Sequence, residues 1–238
     1  MDVLKLRTIP TDNILNLRSL GGYATDDGHM TKFGTFYRSG WMKSASESDI
    51  EKITQLGIKT VVDLRSSFEL EKVPNNLPKE NGISYVHIDI LGKLDPSEME
   101  KTMKTAKSDG QFILLDLYKY VLQNQQDSLK KLFTTLSDSI SKGAVMFNCS
   151  AGKDRTGMTA MFLLSIARVG TLDIIADYEV SSTYIQGHYD SEIMGSDPKN
   201  MIELLKYIGE NYGSAVEYLK SIGVSESEIQ TIRDNFLE

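Results

Sequence analysis

Cys149 is the only cysteine in the chain, and Arg155 stands six positions after it. Between them run Ser150, Ala151, Gly152, Lys153 and Asp154, and Thr156 and Gly157 follow. The apolar β-rich run Ala144-Val145-Met146-Phe147 leads into this segment and a helical pattern leads out of it. A strand–loop–helix unit of that kind can turn the amides of residues 150–155 inward as a nest, with the positive end of the next helix behind them. A phosphate-sized anion fits such a bowl, and Arg155 can grip two of its oxygens with parallel charged hydrogen bonds. The same field acts on Cys149. A free thiol is only a few per cent ionised at neutral pH, whereas cysteines at helix N-termini beside cations have pKa values of roughly 3.5–7.5. A thiolate beneath a phosphate cradle is a nucleophile aimed at phosphorus. The loop amides and Arg155 would then stabilise the oxygens as phosphorus changes geometry, and Thr156 could donate its hydroxyl to the departing sulfur in a second step.

Taken singly, a lone cysteine is more often a small buried hydrophobe than a nucleophile. The pair Cys-x5-Arg also arises by chance. Its combination with Gly152, Lys153, Thr156 and Gly157, after an apolar strand and at the start of a helix, favours the chemical reading. A nucleotide-binding Walker loop is excluded because Asp154, not Ser or Thr, follows Lys153.

Phosphoester cleavage needs a proton donor for the leaving oxygen and a base for water. Asp154 leads for both roles because it lies inside the loop, although two neighbouring cations favour its ionised form, which suits a base better than an acid. Asp89, Asp95 and Asp116 are alternatives by position. Asp63 ends a β-rich run and so falls at the sheet edge where ligands bind, but a salt bridge to Arg155 or Arg38 is the favoured role for it. Lys153 either contacts a second phosphate or is a solvated lysine, and Arg65 is a substrate contact or a scaffold ion pair. His29, His87 and His188 lack metal-ligand spacing, so neither a metal nor another cofactor is expected.

The elements that must hold these residues alternate. Strands are expected at Thr35–Arg38, Thr60–Leu64, Ser84–Ile88 and Ala144–Phe147. Helices are expected at Ser46–Leu56, from the capping pattern Ser97-x-x-Glu100 towards Val121, and along the Leu129–Ile140 stripe. Further helices are expected at Met158–Val169, Leu172–Thr183, Lys199–Glu210, Ser214–Ile222 and Ser225–Leu237. Strand–helix–strand alternation implies an α/β fold with a central, mostly parallel sheet and a helical C-terminal third. With 238 residues, 40% of them apolar, and no Pro- or Gly-rich linker, residues 1–238 read as a single domain. The segment 97–124 reads as a helical insertion suited to act as a lid. Internal disulfides are impossible with one cysteine, and the formal charge of −7 argues against nucleic acid as a partner. No apolar run is long enough to cross a membrane and the N-terminus lacks a signal peptide's apolar core. A monomer, cytoplasmic or secreted, is the expectation.

Asn148-Cys149-Ser150-Ala151-Gly152-Lys153-Asp154-Arg155-Thr156-Gly157 resembles the His-Cys-x-x-Gly-Lys-Asp-Arg-Thr-Gly signature of atypical bacterial protein tyrosine phosphatases, which are similar to dual-specificity and phosphoinositide phosphatases. Asn16-Leu17-Arg18-Ser19-Leu20-Gly21-Gly22-Tyr23 looks like the family's Asn-x-Arg-Asp-Leu-Gly-Gly-Tyr. Phe36-Tyr37-Arg38-Ser39-Gly40, Val62-Asp63-Leu64-Arg65-Ser66 and Asp177-Tyr178 resemble further blocks in the same order. The resemblance implies a phosphomonoester hydrolase working through a cysteinyl-phosphate on phosphotyrosine, with phosphoserine, phosphothreonine and phosphoinositides as further substrates. A non-catalytic phosphate-binding module and a rhodanese-type sulfurtransferase are the alternatives. Two positions depart from the family pattern: Asn148 stands where His is usual and Ser19 where Asp is usual. Asn148 is expected to support the loop by hydrogen bonding, as the family's His does.

Overall fold

The structure, a computed structural model, describes residues 6–42, 44–74, 77, 82–92, 113–188 and 196–238. The strands are β1 (Arg18–Ser19), β2 (Phe36–Ser39), β3 (Ile58–Asp63), β4 (Ser84–His87) and β5 (Ala144–Asn148), and all but the two-residue β1 contain β-branched or aromatic residues. They build one sheet in the order β1-β2-β5-β3-β4. All neighbours are parallel except β1, which pairs antiparallel with β2 through Arg18↔Arg38 and Ser19↔Tyr37. The mostly parallel α/β sheet is the one expected. The edge strand β1 is additional, and two residues are too few to show an alternating pattern.

β5 is fully buried at the centre, as a near-continuous apolar run in a parallel sheet should be. Alternation along it divides the core. Val145 and Phe147 face a large cluster with Phe36, Val62, Phe133 and Phe162, while Ala144 and Met146 face a smaller one with Tyr37, Val61, Ile50 and Ile53. The smaller cluster is closed by α1 (Glu47–Gln55), whose Ser46 and Asp49 form a capping box. A short helix, α2 (Ser67–Lys72), follows β3 directly, again with a capping box, from Ser66 and Glu69. The larger face carries α3 (Ile113–Asn124), α4 (Gln126–Ile140) and α5 (Asp154–Ile166). After them come α6 (Thr171–Glu179), α7 (Ser181–Ile185), α8 (Pro198–Tyr212), α9 (Ala215–Ser221) and α10 (Glu226–Phe236). The C-terminal third is therefore helical, as its periodicity requires.

α5 is apolar nearly all round because it is enclosed, touching β2, β5, α6, α9 and α10. It begins at Asp154, four residues before the expected start at Met158, so its first turn includes Asp154 and Arg155. The expected capping pattern at Ser97 and most of the proposed lid, residues 97–112, lie outside the described residues, as does Asp95. Among the described residues no helix is long and apolar enough to cross a membrane.

Candidate active site

The carboxyl ends of β2, β3 and β5 converge on residues 149–155, the crevice position at which open parallel sheets bind ligands. β5 delivers Cys149, and α5 receives the chain after Lys153, so the loop is stretched between two buried elements. Only glycine fits at 152. Its φ is +70°, and a Cβ there would lie 2.4 Å from the Ser39 carbonyl carbon. Lys153 precedes α5 with no side-chain cap, which leaves the first-turn amides of the helix to a ligand.

Cys149 is a free thiol, 2% exposed. Arg155 is near it. Burial pushes the Arg155 pKa down, but hydrogen bonding to Glu69 and the electrostatic influence of its acidic surroundings outweigh burial and raise it. The Arg155 guanidinium donates Nη1 to Oε2 and Nη2 to Oε1 of Glu69, the latter at 2.8 Å, and Ser150 Oγ donates to the same Oε1. A side-chain carboxylate thus sits in the fork of the loop arginine. Although burial works against it, Arg155, with Ser150 and the Ser66 amide, holds the Glu69 carboxyl down at about 2.

Asp154 is approached by two phenols and a cation. Tyr118 donates to its Oδ1 at 2.6 Å, Tyr178 is 2.9 Å from the Tyr118 hydroxyl, and Lys153 Nζ lies 3.4 Å from Oδ1. Burial first, and then the Asp154 charge, raise the Tyr118 pKa far above its ordinary value, so this phenol remains a donor. Thr156 Oγ1 is buried with no protein hydrogen-bond partner among the described residues.

Several residues stand elsewhere than expected. Lys153 is 0% exposed, so it is not a solvated lysine. Asp63 pairs with Arg65, not with Arg155 or Arg38: Arg65 Nε lies 3.0 Å from both Asp63 oxygens and Nη2 lies 2.6 Å from Oδ2. Tyr85 also donates to Asp63, and Arg65 Nη1 donates to the Val73 carbonyl, so the pair is a scaffold between β3, β4 and α2. Arg38 takes Asp177 as its partner. Asp89 receives the amides of Ser67, Leu91 and Gly92, a turn-and-cap arrangement, and Asp116 is exposed in the first turn of α3. Asn148 does not support the loop by side-chain hydrogen bonding: neither amide atom has a partner among the described residues. Strand alternation explains this, because residue 148 faces away from the side shared by Phe147 and Cys149. Ser19, in place of the family's Asp, accepts from the Gly21 amide.

Two residues at the site, Glu69 and Tyr118, were not singled out from sequence. Glu69 was marked only by Ser66-x-x-Glu69, a helix-start pattern directly after a strand. Tyr118 carried no local signal, because a helix distant in sequence brings it to Asp154, and Tyr178 was marked only as part of the Asp177-Tyr178 block, with no role attached.

A buried cysteine, an arginine six residues on and an uncapped helix end make a phosphate loop of the cysteine-dependent phosphatase kind. The family model described as the tyrosine phosphatase family matches residues 9–238, and the chain belongs to that family. A tyrosine-protein phosphatase of Nostoc commune is 30% identical over 219 residues, 83% of this chain and 72% of that protein. The triple specificity protein phosphatase PtpB of Mycobacterium tuberculosis is 22% identical over 250 residues, 84% of this chain and 90% of that one. Among solved structures, P. aeruginosa TpbA is similar over 84% of this chain and 96% of its own, at 12% identity and a TM-score of 0.44.

Proposed function

We propose that this phosphatase hydrolyses phosphotyrosine through a cysteinyl-phosphate, with phosphoserine, phosphothreonine and phosphoinositides within its range. Glu69 carries the proposal: a carboxylate held by the Arg155 fork and Ser150 Oγ supports a loop suited to gripping an oxyanion beside Cys149. The burial of Cys149, 2% exposed as a residue, favours an aryl phosphate, whose ring reaches further than a seryl or threonyl side chain.

In the first step the Cys149 thiolate attacks phosphorus; the S–P bond forms as the ester P–O bond breaks, and protonated Asp154 gives its proton to the leaving oxygen. In the second step water attacks phosphorus, its proton passes to the Asp154 carboxylate, and the S–P electron pair returns to sulfur. Tyr118 holds Asp154 Oδ1, which leaves Oδ2 as the oxygen that exchanges the proton. Thr156, whose hydroxyl has no other partner among the described residues, donates to the departing sulfur. Loop amides and Arg155 stabilise the equatorial oxygens in both transition states. Lys153 adds positive potential beside Asp154. Arg65 and Asp63 serve this scheme as framework for β3 and α2, not as phosphate ligands.

Phosphate release from a phosphotyrosine peptide by wild type and Cys149→Ser tests the proposal, with phosphoserine peptides and soluble inositol phosphates as parallel substrates. Turnover that vanishes in the variant is expected, fastest with phosphotyrosine. Binding without turnover by wild type would make the chain a phosphate-binding module, and thiocyanate formation from thiosulfate and cyanide would make it a sulfurtransferase.

A further inference from the structure

The N-terminal block from Asn16 to Tyr23 takes no part in the chemistry above, yet it is packed against the back of the phosphate loop. Four successive loop carbonyls are held from that side. The Trp41 amide donates to Ser150 O at 3.1 Å, and Asn16 Nδ2 donates to Ala151 O at 3.1 Å and to Gly152 O at 2.9 Å. Arg38 Nη2 donates to Gly152 O at 2.8 Å and to Lys153 O at 3.3 Å. In a trans peptide unit the N–H points opposite to the C=O. Carbonyls drawn to the back therefore send the amides of the following residues to the front, where the anion binds.

Asn16 is itself held in an unusual state. It is 3% exposed with φ of +60°, a region that non-glycine residues enter at a conformational cost. Arg18 Nη1 donates to Asn16 Oδ1 and so fixes which end of the amide faces the loop. Arg18 is fixed in turn by Asp177 Oδ1, the Asp177 carbonyl and Ser181 Oγ. This much apparatus on one amide exceeds what packing requires. We infer that Asn16, oriented by Arg18, is a positioning residue of the phosphate loop, holding the Ala151 and Gly152 carbonyls back so that the loop amides converge on the phosphoryl oxygens. The inference rests on the cysteinyl-phosphate reading, which wild-type turnover lost in Cys149→Ser tests separately.

The test compares wild type with N16G and N16D at a temperature well below unfolding. N16G accepts the positive φ freely but removes the amide; N16D keeps the shape and the acceptor for Arg18 but turns an acceptor towards the carbonyls. Each is assayed for kcat and KM on p-nitrophenyl phosphate and for competitive inhibition by inorganic phosphate, with near-UV circular dichroism to establish the native fold. The inhibition constant for phosphate should rise about 10- to 100-fold, with kcat/KM falling in proportion, as for other residues that orient a binding shell. A natively folded N16G or N16D whose phosphate inhibition and kcat/KM stay within about twofold of wild type would overturn the inference, because scaffold residues can be lost without changing the bowl.

Discussion

Glu69 ties Arg155 to the fold, and protons report on that tie. Its carboxyl lies at about 2 in the folded protein against an ordinary value of 4.5. A folded pKa below the unfolded one contributes stability that is fully present above about 4.5 and is lost as pH falls towards 2; the size here is on the order of 3 kcal/mol. Glu69→Gln should therefore unfold with a shallower pH dependence between about 5 and 2 than wild type, read from urea midpoints across that window. An unchanged slope would show that Glu69 is not held as described. Tyr118 gives a second prediction. Its hydroxyl donates to Oδ1 of Asp154, the proposed proton-transfer group, so Tyr118→Phe should lower kcat about tenfold while leaving KM nearly unchanged. A rise in KM with kcat intact would assign Tyr118 to binding instead.

At the level of elements, the short helix α2 has more consequence than its six residues suggest. It is too brief to persist alone, so its cap decides whether Glu69 is presented to Arg155. Ser66 Oγ accepts the Glu69 amide at 3.2 Å, and the Ser66 amide reaches back to Glu69 Oε2 at 2.8 Å. Ser66→Ala should cost about 1 kcal/mol of stability and lower kcat/KM as well, whereas Ser66→Thr, which keeps both the capping oxygen and the hydroxyl that donates to Glu69 Oε2, should largely retain both. Activity untouched by Ser66→Ala would separate the cap from the site. α2 could have been read from Ser66-x-x-Glu69, but the neighbouring run carries no apolar stripe and none of its residues is buried, so periodicity gave no support. α5 was legible as a helix, though it ends three residues before the expected Val169 and starts four residues early: Asp154, Arg155, Thr156 and Gly157 look like loop residues, and only the closure of the phosphate bowl makes them a first helical turn.

Across the whole molecule, Asp177 ties the C-terminal helical third to the N-terminal strands. Its carboxylate accepts from Arg18 and Arg38 and from the Tyr23 hydroxyl at 3.1 Å, so α6 is tied to β1 and β2. Breaking a buried pair leaves charge without compensation, so Asp177→Asn should destabilise the fold by about 3–5 kcal/mol in chemical denaturation. A loss under about 1 kcal/mol would mean the two arginines find other partners. The four longer strands, most of the helices and the Cys149–Arg155 loop were legible in local patterns, since alternation and loop chemistry lie within a few residues, whereas β1 and α2 were not. Contacts between distant segments were not: Glu69 on Arg155, Tyr118 on Asp154 and Asn16 on the loop carbonyls exist only once the sheet has assembled. The phosphoryl intermediate tests the central claim most directly. Wild-type protein mixed with a phosphotyrosine peptide, quenched in acid within the first turnover and mapped by mass spectrometry, should carry one phosphoryl group on Cys149. Rapid turnover with no phosphoryl group on Cys149, or with the group on another side chain, would overturn the assignment of that sulfur as the nucleophile.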